Sequence, residues 1–315
     1  MTQLATAPFG ATGMEITRVG FGAWAIGGGD WEFGWGPQQD DESVTAITHA
    51  IESGVNWIDT AAGYGFGRSE RIVGKAIAGL RDKPYVFTKC SLLEGPDRKV
   101  VRSLKRDSIL REAEASLERL GVDAIDLYQI HWPRPAEDIE EGWSALVELR
   151  ERGLVKHIGV SNFSVEQLRR IGEIAPVETL QPEYSLIERD VEPELLPYAK
   201  QQDMGVIVYS PMGSGLLTGR MTRERIAGLP DNDWRKTAHE FNEPELTANL
   251  ALVDRIAAVA DRYGVAPGAV SVAWTLRNPA VSAAIVGFRN PAQVDPLLPA
   301  AGLELTDADV AEIVG

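Results

Sequence analysis

Apolar and polar positions along the chain repeat one unit, a short apolar run followed by an amphipathic stretch. The runs are Val19–Trp24, Val55–Asp59, Tyr85–Lys89, Ala124–His131, Lys156–Asn162, Val177–Gln181, Gly205–Ser210 and Val281–Phe288. Runs this short and apolar read as buried strands. The stretches between them carry helical spacing. Val44, Ile47 and Ile51 share one face of a helix that Asp40 or Asp41 can cap and Gly54 ends. A second helix opens at Ser69-Glu70, with Ile72, Val73, Ala76 and Ile77 in phase. A third, from about Ser108, carries Leu110, Ala113, Leu117 and Leu120. Ile139, Trp143, Leu146 and Val147 mark a fourth, and Ser164 with Gln167 has capping-box spacing for a fifth. Glu194–Gln202 and Pro291–Leu298 read as helices, and two more lie between Ser210 and the last strand. Ahead of all this, Ala7–Phe9 and Glu15–Arg18 flank the turn Ala11-Thr12-Gly13, a small hairpin.

About eight strands alternating with helices predict an α/β fold, a (β/α)8 TIM barrel. It carries an N-terminal β-hairpin and two extra helices before the last strand, in a single domain over residues 1–315. A doubly wound sheet would show a glycine fingerprint after its first strand. Gly20-Phe21-Gly22 followed by Trp24 is not one.

Composition narrows the partners. The chain has 315 residues, with a net charge of −15. Such a surface disfavours nucleic acid and anionic membranes, so an anionic ligand needs a local cradle. A single cysteine, Cys90, excludes an internal disulfide and fits a reducing compartment. The N-terminal MTQLATAPFG has neither the basic nor the apolar region of a leader. No run approaches the roughly 18 apolar residues of a membrane span. These features predict a cytoplasmic protein acting on small molecules, with oligomeric state open.

Chemistry gathers where the strands end. Asp59, Lys89, His131, Ser161-Asn162, Gln181, Tyr209-Ser210 and Arg289 all lie at C-terminal strand ends, the rim where such barrels work. Tyr64 follows Asp59 across small residues and glycines. Each residue alone has a plainer reading: a capping acid, a snorkelling lysine, a packed histidine or a packed tyrosine. Polar residues at nearly every strand end are harder to assign to stability. The last two strand-end loops, Ser210-Pro211-Met212-Gly213-Ser214-Gly215 and Gly287-Phe288-Arg289-Asn290-Pro291, both suit phosphate. Two such loops predict an extended, dinucleotide-like ligand. The loop Gly27–Gln39 holds Trp31, Phe33 and Trp35; with Trp24, Trp132 and Met212 it supplies an apolar pocket wall.

NWIDTAAGYGFGRSE, VFTKC, LYQIHW, VKHIGVSNF, LQPEYS, VYSPMGSGLLTG and IVGFRNPAQV together resemble the aldo-keto reductase family over nearly the whole chain. The likeness is to the bacterial branch related to potassium-channel β subunits and inositol-cluster reductases. It implies an NAD(P)H-dependent enzyme reducing aldehydes or ketones to alcohols. It also implies a catalytic tetrad of Asp59, Tyr64, Lys89 and His131. Ser161, Asn162 and Gln181 would hold the nicotinamide carboxamide, and Tyr209 would stack on its ring beside Trp24. Ser210, Pro211, Met212, Gly213, Ser214, Leu216 and Arg220 would follow the pyrophosphate. Gly287, Arg289 and Gln293 would take the adenosine end, where an arginine favours the 2′-phosphate of NADPH. Trp24, Trp31 and Trp132 would line the substrate pocket. Leu297 stands where the family often has asparagine, which leaves NADH possible. The chain ends at Gly315 soon after the last barrel helix, so the long C-terminal loop of some branches is expected to be missing.

A hydride reduction needs a general acid. The expectation is that an ammonium at Lys89, paired with Asp59, lowers the Tyr64 pKa, while neutral His131 orients the carbonyl. A Schiff-base lyase on Lys89 would leave Tyr64 and the phosphate loops without a joint role. A slow-turnover, cofactor-sensing regulatory subunit is the alternative function. The four histidines, His49, His131, His157 and His239, lack metal-ligand spacing, so no metal is expected. The Asp/Arg-rich segment Met221–Glu243 reads as a lid or a partly disordered loop.

Overall fold

The computed structural model describes residues 4–231 and 233–315. Met1–Gln3, the start of the segment read as lacking a leader, and Asn232 lie outside the described residues. The strands are β1 (Thr6–Pro8), β2 (Glu15–Thr17), β3 (Val19–Gly22), β4 (Trp57–Asp59), β5 (Tyr85–Cys90) and β6 (Leu92–Glu94). They continue as β7 (Val100–Arg102), β8 (Ile125–Ile130), β9 (Val155–Ser161), β10 (Thr179–Gln181), β11 (Gly205–Val208) and β12 (Ala283–Gly287). Eight of them close a parallel barrel in the order β10-β11-β12-β3-β4-β5-β8-β9. Every predicted barrel strand is present.

Strand pleating sorts each strand into two faces with period two. Ile58, Val86, Tyr128, Ile130, Val160, Leu180 and Val206 point outward into the layer beneath the helices. Trp57, Phe87, Leu127, Ile207 and Ala283 point inward and fill the barrel. Phe9, Met14 and Ile16 from the β1–β2 hairpin plug its base, with Phe9 stacked on Phe87 at 5.7 Å. Gly20 makes room for the Trp57 indole, since a Cβ there would meet it at 2.1 Å. Two residues past each inward core residue lies the next inward position, at the rim. That is where Asp59, Lys89, Gln129 and Tyr209 stand.

The surrounding helices are α1 (Asp40–Glu52), α2 (Arg68–Ile77), α3 (Arg106–Leu120), α4 (Ile139–Glu151), α5 (Val165–Gly172) and α6 (Leu195–Gln201). They are followed by α7 (Arg223–Ala227), α8 (Glu245–Tyr263), α9 (Pro267–Leu276) and α10 (Asp307–Val314). The two extra helices before the last strand are α8 and α9. The Ser164–Gln167 capping box is formed as predicted.

Four details depart from expectation. Gln39, not Asp40 or Asp41, is the N-cap residue of α1; the acids occupy its first turn, where the helix dipole favours them. Pro291–Leu298 is not an α-helix: Pro291–Gln293 is a 3₁₀ turn and a second, Leu298–Ala301, begins only at its end, because Pro291 and Pro296 remove amide donors. The polar stretch after β5 is a second hairpin, β6 with β7. The Met221–Glu243 segment has a core of its own, in which Met221, Ile226 and Phe241 pack with Leu216 and Leu246. Its described residues are folded, and Asn232 within it lies outside them.

Candidate active site

The rim is built by the same period-two rule. Asp59 ends β4, Lys89 sits one residue before the end of β5, and His131 immediately follows β8. Lys89 Nζ, fully buried, donates to Asp59 Oδ1 at 2.5 Å, to the Thr60 carbonyl at 3.0 Å and to Tyr64 Oη at 3.4 Å. Tyr64 reaches this point on the turn after β4. A Cβ at Gly65, which has φ of +61°, would meet the Gly27 carbonyl at 2.1 Å, so only glycine lets the turn press against that loop. The Tyr64 ring meets His131 edge-on at 5.5 Å and stacks under Trp24 at 6.3 Å. All four tetrad residues therefore meet.

Burial dominates their protonation. It pushes the Asp59 carboxyl up and the Lys89 ammonium down, each toward its neutral form, and their mutual contact opposes both shifts. It pushes the Tyr64 phenol well above its ordinary range, and the Asp59 charge adds to that. This reverses the expectation that Lys89 would lower the Tyr64 pKa. Desolvation of a buried phenolate outweighs any lowering by the neighbouring ammonium. His131 is held well below the ordinary histidine range by burial and by the charges of Lys89 and Arg102. Its Nδ1 has no hydrogen-bond partner among the described residues, so no acceptor there stabilises an imidazolium.

Beside the tetrad, Gln181 Nε2 donates to Asp59 Oδ2 at 2.9 Å. Ser161 Oγ donates to the Gln181 carbonyl at 2.7 Å. Asn162, in the left-handed region with φ of 65°, donates to the His131 carbonyl at 3.0 Å and accepts from Tyr209 Oη at 2.8 Å. These four side chains form one connected wall, and each lines a cavity of about 660 Å3 above the tetrad. That volume lies within the range of about 300–1,000 Å3 that takes small ligands and cofactors.

The cavity runs on past Ser210, Pro211, Met212, Ser214 and Arg220 to Gly287, Arg289 and Gln293. Ser210, Gly213, Ser214 and Gly215 all have positive φ, at 53°, 53°, 52° and 94°. The Gly213 and Gly215 amides are taken up inside this turn by the Ser210 and Met212 carbonyls, at 2.9 and 3.1 Å, so the cradle offered to an anion is the Ser210 and Ser214 lining of the cavity. Gly213 and Leu216 do not line the cavity. Leu216 is wholly buried in the small core beneath the loop, so its side chain faces away. Arg289 Nε donates to Gln38 Oε1 at 2.8 Å and its Nη2 to the Pro37 carbonyl at 2.5 Å, while Gln293 Oε1 accepts from the Arg289 amide at 2.8 Å.

Trp24, Trp31 and Trp132 line the cavity, with Phe33 and Trp35. Sequence reasoning missed Trp234 and Arg235. Trp234 stacks on Trp24 at 5.7 Å, and Arg235 lies over the Trp35 ring at 4.6 Å while paired with Asp233. A tryptophan alone in an Asp/Arg-rich stretch was the available signal. Gln38, whose partner Arg289 lies far away in sequence, was missed as well, as were Leu92 and Arg102 on the second hairpin.

A profile of the Aldo/keto reductase family matches residues 18–315. This chain belongs to that family. The aldo-keto reductase YhdN of Bacillus subtilis (strain 168) is 40% identical over 305 residues, covering 96% of this chain and 90% of that protein. The NADH-specific methylglyoxal reductase of Escherichia coli (strain K12) is 33% identical over 316 residues, covering 96% and 95%. The solved glycerol dehydrogenase of Gluconobacter oxydans superposes with a TM-score of 0.89 at 38% identity, covering 98% of this chain and 94% of that one. This aldo/keto reductase is an NAD(P)H-dependent reductase of carbonyl compounds, which uses a nicotinamide cofactor. No helix among its described residues is long and apolar enough to cross a membrane.

Proposed function

We propose that Tyr64 gives the proton in carbonyl reduction, with Asp59, Lys89 and His131 as its supporting groups. The observation that carries this reading is Lys89 Nζ, set between Asp59 Oδ1 and Tyr64 Oη beneath the cavity floor. The nicotinamide, when bound, supplies a hydride to the carbonyl carbon. Everything else falls to the chain. His131, neutral, donates a hydrogen bond to the carbonyl oxygen and orients it. Tyr64, its pKa raised, stays protonated until negative charge grows on that oxygen. An alkoxide is more basic than a phenolate, so even this reluctant phenol then gives up its proton. The Tyr64 oxygen keeps the electron pair, and the nearby Lys89 ammonium steadies it. Asp59 holds Lys89 in place.

The donor is NADPH, with NADH also accepted. Ser161, Asn162 and Gln181 face the nicotinamide end, Tyr209 its ring, the Ser210–Gly215 cradle with Arg220 the pyrophosphate, and Arg289 the 2′-phosphate. The positive-φ cradle and the arginine at the far end of one continuous cavity support this reading. Substrates are aldehydes or ketones on an apolar or aromatic body, matching the tryptophan-rich wall. The setting is cytoplasmic and the chain one domain, in keeping with the buried free thiol of Cys90. Oxidation of NADPH and NADH across an aldehyde panel tests the whole. Aldehyde-dependent turnover is expected; uniformly very slow turnover with every member would favour the regulatory, cofactor-sensing alternative.

A further inference from the structure

We propose that Arg102 is the anion receptor of the substrate pocket, so that the preferred substrates are aldehydes and ketones carrying a carboxylate on their apolar body. The inference rests on Tyr64 and His131 as the carbonyl end. Arg102 closes β7 and pairs in register with Leu92, and both residues line the cavity beside His131 and Trp132. The hairpin that carries it is fixed at both ends. At its base, the Ser91 amide donates to Glu112 Oε2 at 2.9 Å and the Ser103 amide to the Ser91 carbonyl at 3.3 Å. Toward its tip, the Val100 amide donates to Glu32 Oε2 at 3.0 Å, and Arg98 donates to the Asp30 carbonyl. Arg102, exposed to solvent, thus stands on a held strand.

That guanidinium forms no ion pair or side-chain hydrogen bond among the described residues, although the chain has 46 acidic side chains to its 31 lysines and arginines. Of the acids that line the cavity, Asp59 is paired with Lys89, and Glu183, Glu188 and Glu240 cluster around Tyr209, Ser210 and His239. The hairpin side offers Trp24, Trp31, Phe33, Leu92 and Trp132 as apolar wall, and Arg102 as its cation. Arg102 is close enough to His131 for its charge to help keep the imidazole neutral. A substrate bound with its oxygen at His131 therefore brings a group on its distal side within the field of Arg102. A net charge of −15 repels free anions, and a planar guanidinium matches a carboxylate bidentately.

The test compares kcat/KM for 4-formylbenzoate and its methyl ester in the wild-type chain, Arg102→Gln and Arg102→Lys. The wild type is expected to favour the carboxylate. Arg102→Gln should lower the carboxylate-to-ester ratio at least tenfold, mainly through KM, and Arg102→Lys should restore part of it. A ratio unmoved by Arg102→Gln overturns the inference. So does an equal loss on both substrates, which would mean Arg102 acts through His131. Wild-type turnover of the ester without preference for the carboxylate overturns the inference alone, whereas turnover of neither overturns the tetrad reading with it.

Discussion

Lys89 and Asp59 form a fully enclosed ion pair, Nζ to Oδ1 at 2.5 Å, and Tyr64 reaches the outer side of the same ammonium. Two buried charges survive there because each is hydrogen-bonded beyond the pair. Lys89 has the Thr60 carbonyl, and Asp59 has the Gln181 amide. Removing one partner leaves the other charged and desolvated, at a cost of about 3–5 kcal/mol. Asp59→Asn and Lys89→Met should each lower unfolding stability by that order in urea titrations. The double variant should recover most of the stability and none of the activity. A double variant as unstable as the singles would mean that the pair is not the stabilising unit.

Tyr64→Phe removes the proton donor and keeps the ring that packs against Trp24, Trp31 and His131. General acid catalysis contributes roughly 10²–10⁴-fold, so kcat for aldehyde reduction should fall by that factor. Cofactor affinity, followed by quenching of tryptophan fluorescence, should stay near wild type. Wild-type turnover in this variant would remove Tyr64 from the mechanism.

Arg289 is already tied through Nε and Nη2 to Gln38 and the Pro37 carbonyl. Those bonds fix its guanidinium at the cavity end, where a 2′-phosphate would meet an oriented charge. Arg289→Ala should raise the KM for NADPH about tenfold or more and leave that for NADH within about twofold, the gap reflecting one charge-assisted contact. Equal effects on both cofactors would assign Arg289 to packing rather than to phosphate.

Glu112 has a pH signature. Burial pushes its carboxyl from 4.5 to about 7, against the hydrogen bonds from the Ser91 amide and Ser108 hydroxyl. Between those two values the folded chain holds a proton that the unfolded chain has released. Stability from this group therefore falls as pH rises through that window. Glu112→Gln removes the titration, so its stability relative to wild type should increase from pH 4.5 to pH 7. The gain is bounded at roughly 3 kcal/mol by the size of the shift. Thermal unfolding in a buffer series reads it, and parallel curves for the two proteins would refute it.

The amino-acid sequence by itself determined the barrel and its rim. Strand alternation is local, so a polar residue two positions beyond an inward core residue must face the barrel mouth wherever the strand goes. That rule carries Asp59 after Trp57, Lys89 after Phe87 and Tyr209 after Ile207. Only the tertiary structure decided what depends on distant partners. Trp234 stacks on Trp24, Arg289 meets Gln38, and Arg102 comes to line the same cavity as His131 from a hairpin hidden in a polar stretch. The same holds for the protonation of Tyr64. From sequence, a neighbouring lysine implied a lowered pKa; in the fold, burial raises it. Desolvation is a property of the packed volume around an atom, and no local pattern of residues encodes it.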